Sequence, residues 1–245
     1  MTKQQKNIIT RTIVIGDIHG CYDELIKLLD DVKYNKNNDR LIFLGDYIDR
    51  GEDAYSVIKK IQALQKESKN VIALRGNHED MLLDAIDAYK WSMERQNWYF
   101  NGGGKTEQSF YSRGHNPYEE KEWLESLPYY FEDDKRVYVH AGIDPTKPMN
   151  QQNRDTMLWV REDFIYDGRP YNKQVIFGHT PSILMRINSI SSTLPYKTDA
   201  GHICIDTGCA IGGKLTALLI NHKNNDEITF MQVDKINKGT EKGAF

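Results

Sequence analysis

Three apolar runs in the first third of the chain each stop at a glycine turn crowded with polar side chains. TIVIG leads into GDIHG (16–20), RLIFLG into GDYIDRG (45–51), and VIAL into RGNHED (75–80). After each turn the periodicity changes. CYDELIKLLDDV (21–32) spaces Leu25, Leu28, Leu29 and Val32 for one helical face, and AYSVIKKIQALQ (54–65) and HEDMLLDAIDAY (78–89) also have helical spacing. Strand, turn and helix repeated three times predict an α/β fold, in which ligand-binding groups gather outside the carboxyl ends of the strands. The three turns are therefore expected to meet.

RVYVHAG (136–142), KQVIFGHT (173–180), HICIDTG (202–208) and KLTALLI (214–220) read as further strands followed by turns, with a polar strand from Glu227 to Val233. The recurring strand-then-glycine pattern suggests two sheets facing each other. EEKEWLESL is a short helical piece. KWSMERQNWYFNGGGKTEQSFYSRG (90–114) combines aromatics with a glycine cluster and reads as a cap or rim with loops, its aromatics assigned to packing ahead of base stacking. No repeat or low-complexity linker divides the chain. One domain is expected over 1–236, with a frayed tail at 237–245.

A chain of 245 residues suffices for one large layered domain. Its formal charge of -3 comes from 32 basic and 35 acidic residues without a long block of either sign, which argues against a nucleic-acid duplex as partner. No stretch approaches bilayer length, and MTKQQKNIITR lacks an apolar signal region, so a cytoplasmic protein with no membrane partner is expected. Cys21, Cys204 and Cys209 form neither a C-x-x-C motif nor a dense disulfide framework, and read as reduced thiols.

Asp17, His19, Asp46, Asn77, His140 and His179 all fall at predicted strand ends. Any one of these aspartates could be a turn or cap residue. Together they are oxygen and nitrogen donors suited to hard or borderline divalent cations, too many for one tetrahedral site and without the thiols a structural zinc site prefers. A two-metal arrangement uses them all, with Asp17 and His19 on one cation, Asn77, His140 and His179 on the other, and Asp46 bridging. Two cations roughly 3.5 to 4 Å apart can bind a shared water, promote its deprotonation and hold a phosphoryl oxygen, which is the chemistry of phosphoester hydrolysis. His78 adjoins Asn77 and would lie near the reacting phosphate without being a ligand, placed to protonate the leaving oxygen. Asp49 can accept its other N–H. Arg50 offers a fork of donors to phosphate oxygens. Arg161, in LWVRED, is either a second clamp or a surface arginine beside a tryptophan. Arg75 either approaches phosphate or forms a salt bridge across a strand end.

GDIHG, GDYIDRG and GNHE, extended by HAGI (140–143), FGHT (177–180) and IDTGCAIGGKLTALLI (205–220), resemble a calcineurin-like metallophosphoesterase. The resemblance is specifically to the phosphoprotein phosphatase family that includes bacterial and phage serine/threonine protein phosphatases. It implies a four-layer sandwich of two facing mixed β-sheets flanked by helices, with a dinuclear centre at the sheet edges. It implies two divalent ions, Mn2+ first, with Fe, Zn, Mg or Ni as alternatives. On this chain it supports the six donors above, Asp49 with His78 as the acid pair, and Arg50 and Arg161 as phosphate contacts. FGHT favours His179 over His202 as the ligand.

The implied reaction is attack of a metal-activated hydroxide on a phosphomonoester, with His78 protonating the leaving oxygen. Its substrate would be a phosphorylated protein or peptide, or a small phosphoester. GCYDEL, DTGC and GGKLTAL also resemble symmetric diadenosine tetraphosphatases, making a dinucleoside polyphosphate cleaved to two ADP the alternative. GNHE, where that branch more typically has GNHD, favours the protein phosphatase.

Overall fold

Neighbouring side chains along the central strands belong to different layers. In the computed structural model, which describes residues 8–185 and 192–236, Ile13 and Ile15 of β1 (Arg11–Ile15) pack into one apolar cluster and Val14 into another. β2 (Asp39–Phe43) repeats this: Leu41 and Phe43 join the first cluster and Ile42 the second. A strand covered on both faces loses the apolar–polar alternation of a half-exposed strand, which is why these segments read as continuous apolar runs.

The first cluster lies under helices α1 (Tyr22–Asp31), α2 (Ala54–Glu67) and α3 (Asn77–Asp87), which contribute Leu25 and Leu28, Val57 and Ile61, and Met81 and Leu82. β3 (Val71–Ala73) completes the parallel run β1-β2-β3. After α3 come α4 (Met93–Trp98), α5 (Gly104–Tyr111) and α6 (Lys121–Ser126), followed by β4 (Tyr130–Glu132) and β5 (Arg136–Val139). Then follow α7 (Arg154–Trp159), α8 (Glu162–Ile165), β6 (Gln174–Phe177), β7 (Tyr196–Lys197), β8 (Ile203–Cys204), β9 (Lys214–Asn221) and β10 (Glu227–Asp234).

The strands form two mixed five-stranded sheets, ordered β10-β9-β1-β2-β3 and β4-β5-β6-β8-β7. Val14, Ile42, Leu44 and Leu218 of one sheet meet Tyr138, Ile176 and Ile205 from the other in the layer between them. Outside the second sheet, Val137, Val175 and Phe177 pack against Met157, Phe164 and Ile165 of α7 and α8. The result is the expected four-layer sandwich. Among the described residues no helix is long and apolar enough to cross a membrane.

Two features depart from the sequence reading. The segment 90–114 is mostly helical: α4 runs through a π-helical turn at Tyr99–Gly103 into α5. Glycines that suggest a loop instead permit a kink, because Gly102 has φ +109 and Gly103 sits where a Cβ would come within 2.5 Å of the Trp98 ring. The short antiparallel edge strands β4 and β7 carry no clear alternation and were not expected. The tail at 237–245 lies outside the described residues.

Ile42 is fully buried between the sheets. Ile42→Ala is expected to lower the unfolding free energy by about 2 to 5 kcal/mol, read as a lower urea midpoint at unchanged slope.

Candidate metal centre

Five parallel strands aim their carboxyl ends at one region. The turn after β1 carries Asp17 and His19, that after β2 carries Asp46, Asp49 and Arg50, and β3 leads to Asn77 and His78 at the start of α3. From the second sheet, β5 and β6 deliver His140 and His179. These side chains are buried, apart from Arg50.

Asp46 lies at the middle. Two compact donor groups share it, His19 with Asp46 and His78, and Asp46 with His140 and His179, the donor atoms of each group lying within 4.8 Å of one another. Asp46 Oδ2 is 3.4 Å from His19 Nε2, and Oδ1 is 3.4 Å from His140 Nε2. Asn77 Oδ1 closes the second group, 2.8 Å from His140 Nε2 and 2.9 Å from His179 Nδ1. Asp17 belongs to neither group and approaches through the backbone N–H of His179, which donates to both its oxygens at 3.1 Å.

The donor chemistry fits divalent cations. Ile48 and Leu44 carbonyls can only accept, so the His19 and His140 Nδ1 atoms that meet them at 2.7 and 3.0 Å carry the protons. Each Nε2 in the neutral ring is therefore a lone pair turned into the site, the usual arrangement of a metal-ligating histidine. No proton is left to lie between His140 Nε2 and the facing Asn77 oxygen, a contact that a cation would make favourable. His179 Nε2 is buried without a hydrogen-bond partner. Burial pushes His19, His140 and His179 below the ordinary histidine range, toward the neutral form that binds metal. Burial also raises Asp17, helped by the charges of Asp206 and Asp46, and pushes Asp206 up to about 7. Asp46 goes the other way: burial opposes ionisation, but the four surrounding histidines hold it well below the carboxylate range.

The acid pair is assembled beside this cluster. His78 Nδ1 meets Asp49 Oδ2 at 2.7 Å, and its Nε2 accepts from Arg50 Nη2 at 2.9 Å. Arg50 Nη1 reaches His19 Nε2 at 2.7 Å, so one guanidinium spans both motifs. Burial lowers the affinity of His78 for its proton, but the Asp46 charge and the bond to Asp49 outweigh it and raise the imidazole above its ordinary value.

Holding these groups requires uncommon backbone. His19, Asp46, Asp49, Arg50 and His179 have φ of 45, 53, 70, 65 and 66°, in the left-handed region that non-glycine residues seldom occupy. Such conformations persist only where the surroundings over-determine them. Glu79 does so for Asp46: its carboxylate accepts from the N–H groups of Asp46 (2.8 Å), Tyr47 (2.8 Å) and Gly76 (2.9 Å).

The other sequence candidates separate clearly. Arg161 Nη1 donates to His179 O at 3.1 Å and Thr180 Oγ1 at 3.2 Å, at the border of the cluster. Arg75 takes its structural alternative, bonding Tyr129 Oη and the Glu125 carbonyl and lying 3.6 Å from Asp80. His202 stacks on Phe164 and accepts from the Val175 N–H, outside the cluster. Sequence reasoning missed Trp98 and Thr106, which donate to Asp49 at 3.1 and 2.6 Å, and it assigned no role to Glu79 or Asp206. Glu79 and Asp206 stand inside quoted motifs, but nothing local to the cap distinguishes Trp98 and Thr106.

This fold and this histidine–carboxylate site define a metal-dependent phosphoester hydrolase. The chain belongs to the calcineurin-like phosphoesterase family, whose description matches residues 10–238 and whose members use a dinuclear metal centre. It is 32% identical over 217 residues to serine/threonine-protein phosphatase 1 of Salmonella typhimurium, covering 83% of this chain and 88% of that protein. It is 30% identical over 234 residues to bis(5'-nucleosyl)-tetraphosphatase PrpE [asymmetrical] of Halalkalibacterium halodurans, covering 84% and 88%. The solved metallophosphoesterase from Sphaerobacter thermophilus superposes with a TM-score of 0.57 at 18% identity, over 92% of this chain and 89% of that one.

Glu79→Asp shortens the side chain by one methylene and cannot keep all three N–H bonds. It is expected to cost about 1 to 3 kcal/mol through a buried amide left unpaired, measured by urea unfolding.

Proposed function

We propose that the protein is a cytoplasmic, metal-dependent serine/threonine phosphoprotein phosphatase. The observation that carries this reading is the pairing of one imidazole acid with one guanidinium fork: His78 Nε2 and Arg50 are 2.9 Å apart beside the donor cluster. That pair can hold a phosphoryl group and protonate its leaving oxygen, and GDYIDRG with GNHE favours a phosphoprotein as its source. Asp17, His19 and Asp46 would hold one divalent ion, and Asp46, Asn77, His140 and His179 the other, with Mn2+ the preferred metal. When bound, the pair supplies Lewis-acid charge neutralisation and a water-derived nucleophile at neutral pH.

The chain's own residues do the rest. Arg50 binds nonbridging phosphate oxygens, and Arg161, anchored beside His179, is the second clamp. Once Arg50 turns from His78 Nε2 to the phosphate, the protonated ring would deliver its Nε2 proton to the departing serine or threonine oxygen. Asp49 keeps the ring oriented and favours its protonated form, while Trp98 and Thr106 keep Asp49 in place.

A second reading, hydrolysis of a dinucleoside polyphosphate, draws on one feature of the cap. Trp91, Tyr99, Phe100 and Tyr111 are exposed around a surface cavity of about 810 Å³ that Lys90 and Arg95 also line. Aromatic faces with adjacent cations can stack bases and attract phosphates.

His78→Asn should retain two equivalents of metal by elemental analysis and lose about 10² to 10⁴ in kcat, with a smaller loss on a substrate whose leaving group needs little protonation. Chelation of the wild-type enzyme should abolish hydrolysis of an aryl phosphate, and Mn2+ should restore it. Loss of both ions from the His78 variant would make the imidazole a ligand instead.

The substrate test is kcat/KM on phosphoserine and phosphothreonine peptides beside diadenosine tetraphosphate, with nucleotide products resolved. Higher values on the peptides are expected. A large preference for the dinucleotide would overturn the protein-phosphatase reading, and its products, two ADP or AMP with ATP, would identify the cleavage mode.

A further inference from the structure

Cys21 follows Gly20 at the start of α1, and Cys209 begins a 3-10 turn at Cys209–Ile211. Distant in sequence, they are neighbours in the fold. The two sulfurs and a Glu24 carboxylate oxygen lie within 4.8 Å of one another. Both residues are buried. Lys235 Nζ donates to Cys21 Sγ at 3.3 Å and pairs with Glu24 at 2.8 Å. The remaining cysteine, Cys204, is engaged elsewhere, its thiol directed to the Gly178 and Thr180 carbonyls.

We propose that Cys21 and Cys209 are a modification site, closing to a reversible disulfide when the protein meets a hydroperoxide. Three structural facts support this. First, a disulfide needs a second thiol within reach of the first, and the sulfurs of this pair lie within 4.8 Å. Second, the sulfur atoms must approach to about 2.05 Å from a start within 4.8 Å, and the turn carrying Cys209 is flanked by Gly208 (φ +75) and Gly212 (φ +93), residues whose backbone adjusts more readily than that of other residues. Third, Gly20, Glu24 and Lys235, which adjoin or contact Cys21, line a surface cavity of about 450 Å³, an approach for a small peroxide toward the buried pair.

The chemistry balances with the peroxide as sole oxidant. Cys21 sulfur attacks the O–O bond, becomes a sulfenic acid and releases water or an alcohol. Cys209 sulfur then attacks Cys21 sulfur and expels the hydroxyl as water. Two thiols lose two electrons and two protons, and one peroxide is reduced. A dithiol reductant reverses the bond.

The bridge would act on the metal centre because Cys21 is tied to it. Its thiol donates to the carbonyl of His19, the residue whose Nε2 faces Asp46, and the Gly20 N–H and carbonyl bond Tyr47 and Asp53. Drawing Cys21 toward Cys209 removes that S–H and pulls on the left-handed His19–Gly20 turn. The oxidised protein is expected to lose metal from the His19 side and to lose activity.

The test treats the metal-loaded enzyme with hydrogen peroxide, counts free thiols, maps peptides without reduction, and measures metal content and aryl phosphate hydrolysis in parallel. Thiols should fall from the three of the sequence to one, with a single Cys21–Cys209 cross-link that dithiothreitol reverses. Activity should fall at least tenfold and return on reduction. Cys209→Ala and Cys209→Ser should start with wild-type activity and resist peroxide, while Cys204→Ala should remain sensitive. Loss of thiols without that cross-link, or equal inactivation of Cys209→Ala, would overturn the proposal.

Discussion

The Asp46 carboxylate is the point on which both halves of the site depend. Its two oxygens face different imidazoles, His19 from the first sheet and His140 from the second, and Oδ1 also accepts the backbone N–H of His78 at 3.0 Å. A carboxylate so surrounded stays ionised despite complete burial. Bringing it there requires a left-handed backbone, and Glu79 secures that conformation by binding the Asp46 and Tyr47 amides together with that of Gly76. A helix residue thereby locks two adjacent strand-end turns together.

The sandwich explains how such strain is tolerated. Each central strand is buried on both faces, and the three apolar clusters packed around the sheets fix the backbone on which the five uncommon φ angles are held. Rigidity matters too. Parallel strands in both sheets terminate on the same side, so the groups at their ends are set by packed β-structure and short turns. Gly178 shows the tolerance: a Cβ there would lie 2.1 Å from Asp17 Oδ1. Even one methyl group would collide with a member of the site.

The segment 90–114 presents two different faces. Its inner side chains, Trp98 and Thr106, hold Asp49 from beneath, while Trp91, Phe100 and Tyr111 on the same segment face solvent. The exposed side chains make no hydrogen bond to the acid pair, so the two faces are separate in structure.

Much of the site is legible along the chain because its donors follow short apolar strands at glycine turns. Periodicity alone located β1, β2, β3 and their following helices, and the motif residues supplied Asp17, His19, Asp46, Asp49, Arg50, Asn77, His78, His140 and His179, with Arg161 at the border. Local pattern could not decide the role of Arg75, which went to Tyr129 and Asp80, or reveal the helices hidden behind the glycines at 102–104. Nor could it disclose that Trp98 supports Asp49 or that Cys21 meets Cys209. Strand and helix formation follow from burial every second or every third to fourth residue, a property each segment carries by itself. Convergence depends on how two sheets stack, so which oxygen faces which nitrogen, and which turns are left-handed, was decided only by long-range packing.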